Sequence, residues 1–82
     1  MSKRKLLLKI LSGSRNVRFG DMVTLAEAFG FELDRVSGSH HIFTRPGIRE
    51  LVNLQNVQGQ AKPCQIRQFI RLVERYNLTL EE

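Results

Sequence analysis

His40 and His41 are adjacent, and they are the only imidazoles in a chain of 82 residues. An imidazole titrates near neutral pH, which suits it to moving protons in water. The pair follows Ser37-Gly38-Ser39, a short turn, and opens a segment rich in β-branched and aromatic residues. Successive strand residues point to opposite faces, so one ring faces the packed side of a sheet or its margin and the other faces the open side. Paired histidines on a strand are commonly plain surface residues. What surrounds them decides whether they do chemistry.

Other chemistries find less support. Glu32 and Asp34 could share a strand face, and two carboxylates near a histidine can hold a metal. A two-metal nuclease site needs several convergent acids, and this chain has few to converge, so no metal is expected. Ser37 and Ser39 lie near the histidines, but no acid is placed to orient a Ser-His pair. Cys64 falls in a predicted helix first turn with no histidine near it in sequence, where a small residue is the simpler reading. Glycines 13, 20, 30, 38, 47 and 59 are scattered, with no phosphate-cradling loop. No Cys/His cluster has zinc spacing, and no cofactor is expected.

Thirteen Lys and Arg stand against eight Asp and Glu, a net charge of +5. That excess points to a polyanionic partner: nucleic acid, an anionic membrane or an acidic protein. Lys3, Arg4, Lys5, Lys9, Arg15 and Arg18 all precede the first acidic residue. Arg67, Arg71 and Arg75 recur at i, i+4, i+8 of a helical segment, with Lys62 just before it. They form either a solvated helix face or a phosphate-binding ridge.

The elements that must position these residues follow from pattern. Leu6-Leu7-Leu8 is interrupted by Lys9, too short a run for a secretory core or a membrane span. Residues 1–18 lack acids, as a transit peptide does, but a short amphipathic helix with Leu7, Ile10 and Leu11 on one face explains them better. Residues 12–16 carry turn chemistry. Met22, Leu25, Ala26 and Phe29 recur at i, i+3, i+4, i+7, which predicts a helix over 21–29 with Asp21 as cap and Gly30 as stop. Three strands follow, at 31–36, 40–45 and 50–55, the first with Phe31 and Leu33 alternating against Glu32 and Asp34. Residues 56–62 read as a polar loop. Pro63 opens a final helix with Ile66, Phe69, Ile70, Val73 and Tyr76 as its buried stripe.

The expected fold class is α+β: a three-stranded antiparallel sheet with helices packed on one face and the other face open. A chain of this length buries roughly 60–65% of its unfolded surface, so one small domain is expected and a deep cleft between lobes is excluded. Residues 1–18 form a basic helical extension and 19–77 the core. With a single cysteine no intramolecular disulfide can form, and the chain reads as cytoplasmic.

Gly38-Ser39-His40-His41-Ile42-Phe43-Thr44-Arg45-Pro46 resembles the Gly-Ser-His-His strand of HicA toxins, also called YcfA-like proteins. Lys62-Pro63-Cys64-Gln65-Ile66-Arg67-Gln68-Phe69-Ile70 resembles their closing Lys-Pro-x-x-x-Arg helix. A helix ending in Gly30 before Phe31 matches their opening elements. The resemblance spans about residues 20–77. It implies a double-stranded-RNA-binding-domain-like fold and a ribosome-independent endoribonuclease that cuts mRNA. It also implies a HicB-like antitoxin that masks the site.

The family histidine maps onto His40, with His41 as the alternative because some members carry an extra residue before it. Gly38, Ser39, Arg45, Lys62, Arg67 and Arg71 are the expected RNA-binding residues. Residues 1–18 are longer than most members need, and Gln55-Asn56-Val57 holds no histidine where members often have one. RNA supplies its own nucleophile, the 2′-OH, so a histidine beside arginines meets the minimum for cleavage without metal, and DNA is expected to survive. Two other classes remain beside the nuclease: a non-catalytic RNA-binding module, and a protein-interaction domain with a basic surface.

Overall fold

The computed structural model describes residues 2–13 and 16–81. They form α1 (Lys3–Leu11), α2 (Phe19–Ala28), β1 (Glu32–Ser37), β2 (His40–Arg45), β3 (Ile48–Val57), β4 (Gln60–Ala61) and α3 (Pro63–Arg75). The sheet is antiparallel with order β1-β2-β3-β4. Helices α2 and α3 pack against β3, and α1 packs against α2. The core between helices and sheet is built on Phe31, Phe43, Phe69, Met22, Leu25, Leu54 and Val17. The α+β expectation holds. Among the described residues no helix is long and apolar enough to cross a membrane.

Several local expectations are corrected. The sheet has four strands, not three. Residues 56–62 are not all loop, because Gln58 (φ 53°) and Gly59 (φ 83°) make a two-residue turn with both angles positive. That geometry matches the twist of a hairpin. Asn56 Oδ1 accepts the Gly59 N–H at 2.8 Å and braces the turn. Residues 17–19 then run along β4, with Ala61 N–H to Val17 O and Phe19 N–H to Gly59 O, each 2.9 Å.

Those bonds start α2 at Phe19, earlier than expected. Arg18 is its N-cap, and Asp21 lies inside the first turn, where it complements the helix dipole without capping. The stop at Gly30 holds. Gly30 (φ +90°) donates to Glu27 O at 2.9 Å and Phe31 to Ala26 O at 3.1 Å, the Schellman pattern.

In β1 the expected alternation fails. Phe31 is buried, but Leu33 is 50% exposed. Leu33 pairs with Phe43 and so shares the packed face, but β1 is an edge strand whose residues are all exposed, and the bulge between Leu33 and Arg35 then breaks the period of two. In α1 the buried pair is Leu6 and Ile10, with Leu7 at the margin and Leu11 exposed. Ser14 and Arg15 of the expected turn lie outside the described residues. In α3 Ile66, Phe69 and Leu72 are buried, and Ile70 and Val73 pack beside them. Tyr76 lies past the helix end, 37% exposed, so it is not part of the buried stripe. Its hydroxyl donates to Glu50 at 2.7 Å, and Arg75 reaches the same carboxylate at 3.3 Å.

Candidate active site on the open sheet face

Gly38 and Ser39 form a two-residue hairpin turn, with Ser37 paired to His40. Gly38 has φ +60°, the left-handed region that glycine enters without strain. The turn fixes the register of β2, and the register sorts the two histidines. His41 lies opposite Leu54, and Phe43 opposite Val52. Leu54, Phe43 and Val52 are buried under the helices, so His41 belongs to the packed face. Its ring lies 4.6 Å from the Phe19 ring, tilted at 57°. Its Nδ1–H donates to Ser39 O at 3.2 Å.

His40 takes the other face. Register places it in a row with Ser37 on β1 and Gln55 on β3. The next row on that face is Arg35, Ile42 and Asn53. Asn53 is diagonal to His40, and its Oδ1 lies 3.1 Å from His40 Nδ1. An amide oxygen only accepts, so this contact puts a proton on Nδ1, and in the neutral ring the lone pair is then on Nε2. A half-exposed imidazole with a free Nε2, flanked by hydroxyl and amide groups, can take a proton from a bound hydroxyl.

Helix α3 begins beside this row. Gln65 Oε1, in its first turn, accepts the Gln55 N–H at 2.7 Å. Lys62, the helix N-cap, follows Ala61, which pairs with Asn56, so Lys62 stands abreast of Gln55. Lys62 is thus the expected basic residue that follows directly from the strand beside the Gln55 end of the row. Arg45 is not brought there. It packs over Gly30, where an added Cβ would lie 3.0 Å from Arg45 Nε, and its Nη1 is buried with no hydrogen-bond partner. Arg67 and Arg71 line a surface cleft against Ile10 and Leu11 of α1, on the helix side of the molecule. Among the described residues no three His, Cys, Asp or Glu side chains converge as metal ligands.

Three residues of this site were missed in the sequence: Arg35, Asn53 and Gln55. Period-2 counting from His40 finds Gln55 only once the strand pairing is known. Arg35 joins the face through the bulge, which pattern reading skips. It carries an exposed ion pair with Asp34 at 2.6 Å. One hint was local: Asn is depleted from strand interiors, yet Asn53 sits between Val52 and Leu54.

Comparison with known proteins adds the last observation. The family model described as the HicA toxin of bacterial toxin–antitoxin systems matches residues 19–74. That span runs from the start of α2 nearly to the end of α3 and leaves α1 outside it. No curated protein and no solved structure gives a significant match.

Proposed function

The chain belongs to the HicA toxin family of bacterial toxin–antitoxin systems, and on that premise we propose that it is a metal-independent endoribonuclease that cuts mRNA in the cytoplasm. The toxin role and a cognate antitoxin come with the family. Residues 19–77 are the proposed catalytic core and 1–18 a basic helical extension.

His40 is the proposed general base. Its Nε2 removes the proton of the RNA 2′-OH, the 2′-oxygen attacks the adjacent phosphorus, and the bond to the 5′-oxygen breaks. The leaving oxygen takes a proton from solvent water, His40 returns its own proton to solvent, and the strand ends in a 2′,3′-cyclic phosphate. Lys62 and Arg35 flank the row and are the proposed contacts to the phosphate, while Gly38 and Ser39 present the ring at the strand end. Arg67 and Arg71 contribute longer-range attraction for the polyanion. The observation that supports this reading is His40 on the open face with Nδ1 held by Asn53 and Nε2 free.

A HicB-like antitoxin is the proposed partner. An acidic surface would be steered to this basic chain and would cover the open face. The test is cleavage of single-stranded RNA in EDTA. Activity there supports the proposal. Activity that vanishes in EDTA and returns with magnesium contradicts it.

A further inference from the structure

We propose that Asn53 is a positioning residue that sets the tautomer of His40. The inference rests on the reading of His40 as general base and extends it to a residue of another strand. Free imidazole side chains favour the proton on Nε2, which would block that nitrogen as a base. In the fold the Asn53 carboxamide is turned so that Oδ1 meets His40 Nδ1 at 3.1 Å. An acceptor at that point stabilises only the form with the proton on Nδ1. The lone pair is then on Nε2.

The placement of Asn53 argues for this role over a structural one. The residue is exposed, and at this point β3 pairs with β2 alone, because β4 joins it only at Asn56 and Val57. Its neighbours Val52 and Leu54 are buried on the packed face and hold the backbone in register. Strand propensity would favour a β-branched residue at such an exposed strand position over Asn. The diagonal from His40 to Asn53 is within the reach of side chains on one sheet face. Pairing of β2 with β3 therefore builds the base from two segments: β2 carries the imidazole, and β3 carries the atom that chooses its proton.

The test reads the ring directly. Nitrogen NMR of ¹⁵N-histidine-labelled protein reports which nitrogen of neutral His40 carries the proton. In wild type that nitrogen is Nδ1. In Asn53→Ala the proton moves predominantly to Nε2, kcat for RNA falls about tenfold or more, a fraction of the ~10²–10⁴ a general base supplies, and KM is unchanged. Asn53→Asp keeps an acceptor oxygen and restores the Nδ1–H form. Amide spectra of both variants should match wild type across the core. The role is overturned if wild-type His40 carries its proton on Nε2, or if Asn53→Ala leaves the tautomer unchanged. A tautomer that responds as stated in a protein that cleaves no RNA would sink the nuclease reading, and the catalytic role of Asn53 with it, while the geometry stood.

Discussion

His40 and His41 share a residue type, a strand and a turn, yet the fold gives them opposite surroundings. His41 stacks on Phe19 and donates to the backbone of its own turn, so its contacts belong to the packed face. His40 has Ser37 and Gln55 beside it in a row built by three strands, with Asn53 on its diagonal. Both rings present an oxygen acceptor to Nδ1, so tautomer alone does not separate them. Both residues are partly exposed, and what separates them is the face of the sheet and the Phe19 ring against His41. A phosphate backbone laid across the open face meets Nε2 of His40, and the Phe19 side chain stands against the ring of His41. Adjacent residues of one strand thus acquire different surroundings from the single fact that a pleated chain alternates sides.

The comparison is broken hardest by removing the exposed ring. His40→Ala is expected to lose ~10²–10⁴ in cleavage rate, the size of a general-base contribution. It should keep its fold and its salt-dependent RNA affinity, because the cations supply that. Cleavage kinetics, a thermal melt and a salt titration of RNA binding check all three. A dead, folded His41→Ala beside an active His40→Ala would reverse the assignment.

A lesion on the packed face should act on stability alone. Gly30 has φ +90° and lies under Arg45, so Gly30→Ala adds backbone strain and a close contact at 3.0 Å. The left-handed conformation alone costs roughly 1–2 kcal/mol for a residue with a Cβ. The melting temperature should fall while the rate per folded molecule stays at the wild-type value.

His41→Ala sharpens the contrast further. Loss of the Phe19 contact and one exposed hydrogen bond should cost about 1 kcal/mol. For a domain of this size that is a drop of roughly 4–8 °C in Tm. Most of the RNA cleavage should remain.

The smallest effect lies far from both rings and serves as a control on the fold. Tyr76 is the only tyrosine. Its hydroxyl is held protonated above the usual value of 10.0, first by the hydrogen bond to Glu50 and then by desolvation and that carboxylate's charge. Because the folded value is the raised one, the contribution to stability is present below pH 10.0 and is lost as pH climbs through the folded value. Ultraviolet titration should give a midpoint above that of the unfolded chain, and Glu50→Gln should bring it down. His40→Ala should leave it alone.

The strand carrying the histidines, the Gly30 stop and the Pro63 start were legible because each depends on a local signal: a short turn, a left-handed glycine, a proline at the first helical position. The α1 face was misread because Leu6, Leu7 and Leu8 are consecutive, and only packing against α2 selects Leu6 with Ile10. The Gln58-Gly59 hairpin lacks the usual Asn-Gly or Asp-Gly signal, so β4 passed for loop. The bulge after Leu33 breaks the period of two, which hid Arg35. Asn53 was hidden for a different reason. Its partner is thirteen positions away in sequence, and no local pattern encodes a diagonal contact between strands. The candidate base was readable from the chain, but the atoms around it required the sheet.

The claim that His40 acts on the 2′-OH is tested most directly with a pair of substrates. An RNA oligonucleotide and the same oligonucleotide with one 2′-deoxy residue at the cleaved linkage are incubated in EDTA, and the product ends are identified by mass. The account predicts that the all-ribose strand is cut to a 2′,3′-cyclic phosphate and that the deoxy linkage survives in the same tube. Cleavage of the deoxy linkage at a comparable rate, or a product bearing an intact 2′-OH and a 5′-phosphate, would contradict it.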